Sequence, residues 1–178
     1  MMDPAPVPVF QHELEFGPLL HMYRKRKPRS VLEIGVYHGG TLWYWLKEAR
    51  RDAPVTVVAV DTFQEVDNRK LFPRWAPANV ALWLVEGRSQ DVVAQVGMFA
   101  PFDWVFIDAD HHDAAVRADW ENYRPMVVKG GLVAFHDVAE TDDPTVEVLP
   151  LWQEIQAGYD TREFVVGDGR WGVGVVFI

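Results

Sequence analysis

Two short clusters of ionisable side chains stand out in this chain of 178 residues. Asp108-Ala109-Asp110-His111-His112 follows one β-branched and aromatic run, and His136-Asp137 follows another. Each sits where a strand is expected to end, and the carboxyl ends of parallel strands share one edge of an open α/β sheet. Neighbouring strands lie about 4.8 Å apart, so Asp108 and the His136-Asp137 pair are expected to converge on one ion or one substrate hydroxyl. Carboxylates with an imidazole and waters suit magnesium or manganese, and the histidine admits iron or zinc. His111 has a side chain able to take a proton near neutral pH. The plainer reading has Asp110 capping a helix that begins near His111, with half-exposed surface histidines. Asp, Asp, His, His and Asp gathered at one edge favour a site.

Three further strand ends carry candidates. Val31 to Ile34 reads as a buried strand stopped by Gly35, with Val36-Tyr37-His38-Gly39-Gly40 leading into a helix. A glycine there lets a ligand approach the backbone closely. Tyr37 stands where the dinucleotide fingerprint needs its second glycine, which argues against a nicotinamide oxidoreductase. Asp61 ends the next strand and is placed to accept hydrogen bonds from the hydroxyls of a nucleoside ribose; otherwise it opens a turn or caps a helix. Gly87-Arg88-Ser89-Gln90-Asp91 follows the third strand. Ser89 is a candidate helix cap, and the backbone donors and Ser or Gln side chains there suit an adenine edge.

The elements that must hold these groups alternate between strand and helix signals. Leu42, Trp45, Leu46 and Ala49 recur at helical spacing after the glycine turn, and Val116, Trp120 and Tyr123 recur likewise after Asp108. Strands are expected at Val55 to Val60, Val80 to Val85, Asp103 to Ile107 and Leu132 to Phe135, the last entered by the turn Lys129-Gly130-Gly131. A first helix is expected over roughly Pro18 to Lys25 and a late one from about Leu149 to Gln156, each with proline in its first turn. Glu163 to Val166 and Trp171 to Ile178, joined through Gly167-Asp168-Gly169, read as a closing hairpin. The expected fold is α/β, a doubly wound, mostly parallel sheet with helices on both faces and a C-terminal antiparallel hairpin strand. Residues 1–29 form an N-terminal tail and helix, loose over the Pro-rich first nine residues, and 30–178 form one domain.

Composition narrows the function. Seventeen Lys and Arg against 26 Asp and Glu give a net charge of −9, which opposes broad binding to nucleic acid or anionic lipid. The basic run Arg24-Lys25-Arg26-Lys27-Pro28-Arg29 falls at the first helix's end, where cations complement its dipole. No cysteine is present, so disulfides and thiolate metal sites are excluded. No secretory signal or membrane-length apolar run is visible, and the expected compartment is the cytoplasm. The eight Trp are expected mainly in the core; gathered on the surface they would mark a partner interface.

With these motifs in order, the chain resembles class I S-adenosylmethionine-dependent methyltransferases of Rossmann-like fold, within them the catechol and related small-molecule O-methyltransferases. Val31 to Thr41, Gly87 to Asp91 and Val105 to His111 carry the likeness, which with the hairpin spans about residue 30 to the end. The resemblance implies S-adenosylmethionine held on Glu33, Gly35, Tyr37, Gly39, Thr41 and Asp108, its ribose on Asp61, and its adenine near Arg88, Ser89 and Gln90. It implies methyl transfer to a hydroxyl of a small molecule or sugar, with Mg2+ or another divalent metal on Asp108, His136 and Asp137. His111 falls where catechol-type enzymes carry a catalytic lysine and some sugar O-methyltransferases a histidine base. Catechol-type enzymes have Asp-Asn where His136-Asp137 stands, and sugar-modifying relatives have Glu-Asp. His136 therefore reads either as a ligand or, with His111, as half of a metal-free acid/base pair. Few residues precede the first strand, so the lids over the acceptor are expected to be small, with a bulky acceptor or a homo-oligomeric partner completing the pocket. Cephalosporin-hydroxylase-like enzymes on this fold and a non-catalytic cofactor-binding or scaffold domain are the competing readings.

Overall fold

The computed structural model describes residues 5–64, 67–166 and 171–178. In chain order the elements are α1 (Glu13–Arg26), β1 (Ser30–Ile34), α2 (Gly40–Lys47), β2 (Val55–Asp61), β3 (Val80–Glu86) and α3 (Val93–Gly97). There follow β4 (Phe102–Ile107), α4 (Asp113–Tyr123), β5 (Val127–His136), α5 (Val148–Gly158), β6 (Asp160–Phe164) and β7 (Val173–Phe177). The strands form one sheet in the order β3-β2-β1-β4-β5-β7-β6. β1 to β5 run parallel, and β7 is antiparallel to both its neighbours.

The register places the chemistry. Ile34 lies opposite both Val60 and Ile107, and Ile107 lies opposite Phe135. Gly35, Asp61, Asp108 and His136, the next residue on each strand, therefore form one row across the sheet edge. Backbone bonds hold it: Gly35 N–H donates to the Val60 carbonyl and Asp108 N–H to the Ile34 carbonyl, at 2.9 and 2.8 Å.

Central strands covered on both faces need apolar residues at successive positions, as in Val31-Leu32 and Val57-Val58-Ala59-Val60. One face packs under α1 and α2 through Phe16, Leu19, Tyr23 and Trp45, the other under α3, α4 and α5 through Val96, Trp120 and Ile155. Trp45, Trp104 and Trp152 are fully buried, so tryptophan serves mainly the core. Trp83, on the edge strand β3, is half exposed and stacks on Phe99.

Four expectations need correction. α1 begins at Glu13, five residues before Pro18, which lies inside the helix. The Nδ1 of His12 accepts the Leu14 N–H at 3.3 Å and caps the earlier start. An interior proline costs about 3 kcal/mol, but burying Phe16, Leu19, Leu20 and Tyr23 contributes roughly 1.5–3 kcal/mol each. Second, the Pro-rich start is not a loose tail over its described part. Ala5 and Val9 pack on the first core, and Pro8 and Val9 press against Gly40, where a Cβ would have no room. Third, Lys129-Gly130-Gly131 lies inside β5, at an irregularity where the β4 pairing skips from Phe102↔Val127 to Trp104↔Leu132. Fourth, β6 begins at Asp160 and ends at Phe164, earlier than Glu163 to Val166. The turn Gly167-Asp168-Gly169 lies outside the described residues. Its flanks are tied to α1, where the buried Glu15 accepts the N–H groups of Val166 and Gly172 at 3.1 and 3.2 Å.

Gly35 is the backbone hinge of the row, with φ +88 and no space for a Cβ against the Asp108 carbonyl. Gly35→Ala is expected to lower the unfolding free energy by about 2–4 kcal/mol in urea titration. An unchanged midpoint would mean that the turn relaxes without disturbing β4.

Candidate functional site

The row of strand ends opens into a cavity of about 840 Å3. That is ample for a nucleoside-sized ligand with a second molecule beside it. Gly35 and Tyr37 line it from the β1 loop, Asp61 from β2, and Arg88 to Gln90 from the β3 loop. Asp108, His111, His136 and Asp137 line the side formed by β4 and β5. Thr41 reaches it from α2, whereas Gly39 is not part of its lining and has no room for a Cβ against the Phe72 ring. Glu33 also lies behind the wall and is fully buried, accepting the Thr41 hydroxyl. Burial pushes its carboxyl well above the usual range, with the charges of Asp108 and Asp61 adding to the rise. A buried position without water disfavours the charged form in this way.

Asp61 organises that loop. Its Oδ2 accepts the N–H groups of Val36 and Tyr37, each at 2.8 Å, and its Oδ1 accepts that of Phe63 at 2.7 Å. The last contact is an Asx-type turn, so the plain turn-opening role operates together with exposure to the cavity. Tyr37, Phe63 and Asp137 all have left-handed backbones, with φ of 47, 54 and 62. Such conformations cost of order 1 kcal/mol or more in non-glycine residues and cluster at working sites.

At the other end, two carboxylates and two imidazoles meet. His136 Nδ1 lies 3.3 Å from Asp108 Oδ1 and 3.0 Å from Asp137 Oδ1. His111 Nε2 lies 3.3 Å from Asp108 Oδ1 and 3.3 Å from Asp137 Oδ2. Burial pulls His136 down, but the two carboxylates outweigh it and carry its pKa up to about 10. Burial pulls Asp108 up, yet His136 and His111 hold it well below the carboxylate range. For His111 burial again opposes, and Asp108 and Asp137 leave it above its ordinary value. Asp108, His111 and Asp137 each offer a ligand atom within 4.8 Å of the others, a donor set of two oxygens and one nitrogen. Asp110 is apart from this group. It bonds the His112 ring and backbone N–H, and α4 starts only at Asp113, with His112 at the N-cap position but its side chain not bonded to the helix's first N–H groups.

The β3 end is built differently. The Ser89 carbonyl accepts the Tyr123 hydroxyl at 2.6 Å, and Gln90 Nε2 donates to Asp119 Oδ1 at 3.1 Å. Ser89 lies in a 3-10 turn whose cap position is Arg88, so Ser89 does not act as the helix cap.

Two contributors escaped the motif reading. Pro8 to Gln11 line the cavity, where Phe10 packs on Tyr37 and His38 and the Gln11 amide donates to Asp108 Oδ2. Asp119 stands in the middle of α4 and is fully buried. Nothing local marks either residue, because each acts through a partner 29 or 97 positions away.

A family model described as a methyltransferase domain matches residues 32–138, from β1 through β5 to the residue after Asp137. No match is found among curated proteins. Solved structures share the fold. An O-methyltransferase from Bacillus cereus in complex with SAH is 19% identical at a TM-score of 0.73, covering 98% of this chain and 84% of its own. TomG from Streptomyces achromogenes, an O-methyltransferase of tomaymycin synthesis in complex with SAM, is 22% identical at 0.66, covering 92% and 79%. MycE, a methyltransferase of the mycinamycin pathway in complex with Mg, SAH and mycinamycin VI, is 21% identical at 0.66, covering 97% and 50%. On the match over more than half its length, the chain belongs to the methyltransferase-domain family.

Proposed function

We propose that this methyltransferase uses S-adenosylmethionine to methylate a hydroxyl of a small molecule or sugar, with His111 taking the hydroxyl proton. The observation that carries the reading is the convergence of His111 with Asp108 and Asp137 on the wall of the cavity that also holds Gly35 and Asp61. S-adenosylmethionine, when bound, supplies an electrophilic methyl on sulfur, open to in-line attack by an acceptor oxygen. The β1 loop and Asp61 hold the nucleoside half, and Arg88 to Gln90 face its base. Much of the rate comes from this positioning. His111 is placed to take the hydroxyl proton as the oxygen–carbon bond forms and the carbon–sulfur bond breaks, its electron pair staying on sulfur in the neutral thioether, and Asp108 and Asp137 stabilise the resulting imidazolium. His136, kept protonated by both carboxylates, balances their charge.

Asp108, His111 and Asp137 also fit a divalent cation by donor type and closeness. Such an ion would supply Lewis-acid polarisation of the acceptor oxygen. His136 is the poorer ligand of the two histidines, because its Nδ1 faces both carboxylates and a protonated ring cannot ligate. Residues 8–11 are the part of the chain before β1 that lines the cavity, a small enclosure that leaves room for a bulky acceptor or completion of the pocket by a second copy. The net charge of −9 disfavours nucleic acid and anionic membrane as partners, and among the described residues no helix is long and apolar enough to cross a membrane.

Calorimetric titration with S-adenosylhomocysteine is expected to give micromolar binding, and absence of binding would overturn the cofactor reading. His111→Ala is expected to keep that binding and lose turnover by about 100-fold or more; full activity would move the base elsewhere. The pH profile supplies a third check. The base must be neutral, and its pKa lies above the ordinary 6.5. Activity at limiting acceptor is therefore expected to rise with pH through a midpoint above 6.5. Magnesium bound at the carboxylates is expected to shift that midpoint downward, and a profile identical with and without magnesium would exclude His111 from the ion's surroundings.

A further inference from the structure

We infer that Asp119 is a positioning residue that fixes the orientation of the Gln90 amide, so that the pocket takes a 6-aminopurine in preference to a 6-oxopurine. The inference rests on the cofactor reading above, in which Gln90 faces the base, and adds the means by which the base is selected.

Asp119 has no exposed surface, and its Oδ2 is buried without a hydrogen-bond partner. Its Oδ1 meets Gln90 Nε2 at 3.1 Å. Burial raises its pKa to about 6, against a hydrogen bond from Ser89 and with a small contribution from Asp110. At pH 8 it is therefore a carboxylate, which can only accept hydrogen bonds. Gln90 must answer with its NH2 group. The other neighbour of that nitrogen, the Ala115 carbonyl at 3.5 Å, is also an acceptor. Both partners lie on α4, behind the cavity wall that Gln90 helps to form.

With its nitrogen committed to α4, Gln90 has only its carbonyl oxygen left for a ligand. A carbonyl pairs with the exocyclic amine of a 6-aminopurine and repels the 6-oxygen of a 6-oxopurine. An amide free to turn would accommodate either, because its two ends are a donor and an acceptor of nearly equal size. Asp119 thus acts through Gln90, and it does so from a position in mid-helix where a polar side chain otherwise destabilises the packing. Tyr123 fixes the same segment from α4 through the Ser89 carbonyl, so Gln90 rotates on a held backbone.

The test compares S-adenosylhomocysteine with S-inosylhomocysteine by calorimetry at pH 8, in the wild type, Asp119→Asn and Gln90→Ala. The wild type is expected to prefer the adenosyl compound by on the order of tenfold or more. In Asp119→Asn the new amide can donate to Gln90, the Gln90 amide can turn, and the ratio is expected to fall toward one. Gln90→Ala, which alters the cavity wall rather than the buried position, is expected to lose the preference independently. A merely structural Asp119 would weaken both ligands alike and leave the ratio unchanged, and that result overturns the inference. If the wild type binds neither compound, the cofactor reading falls and this inference falls with it. Binding with an unchanged ratio in both variants removes this inference alone.

Discussion

Two carboxylates buried side by side need positive charge between them, and much of the site follows from that requirement. Isolated ions under a protein surface cost several kcal/mol each unless they are paired. Asp108 and Asp137 each stand one residue past the end of the adjacent strands β4 and β5, and His136, the last residue of β5, lies between them. The ring is held charged well above neutral pH. His111, the more exposed of the two imidazoles, is left to exchange protons with the cavity. The left-handed turn at Asp137 brings its carboxylate back toward β4 at a conformational cost that the ion pairs offset.

The opposite half of the cavity solves a different problem. A parallel sheet leaves backbone donors open where its strands stop. Asp61 accepts three of them and so converts two loose strand ends into one fixed loop. Burial, with the charges of Asp108 and Asp61, raises the carboxyl pKa of Glu33 beneath it and so disfavours a further negative charge there. The two halves thus differ in electrostatic character. At one end a single carboxylate, Asp61, is surrounded by backbone N–H groups, and at the other two carboxylates and two imidazoles crowd together.

Much of this was legible from residue order alone. Strands buried on both faces leave unbroken apolar runs, so the ends at Ile34, Asp61, Ile107 and His136 fell within a residue of their positions. The clustering of Asp108, His111, His136 and Asp137 followed from those ends. The division of labour between the histidines did not, because identical side chains differ here only in burial and in which nitrogen faces a carboxylate. Gln11 and Asp119 were invisible for a related reason. Each is an ordinary polar residue whose partner is distant in sequence, and no spacing rule reaches across 97 positions. The early start of α1 was hidden by Pro18, where burial of the helix face outweighs a strong local signal.

The sheet order has a practical corollary for anyone handling the molecule. β7 runs against β5, so Val173 lies beside His136 at the cavity edge while Phe177 lies beside Leu132, away from it. A purification handle joined at the carboxyl end therefore leaves from the far rim of the sheet. Pro8 to Gln11, by contrast, line the cavity, and Gln11 bonds Asp108. An attachment beyond β7 therefore leaves the cavity lining untouched, whereas one close before Pro8 adjoins it.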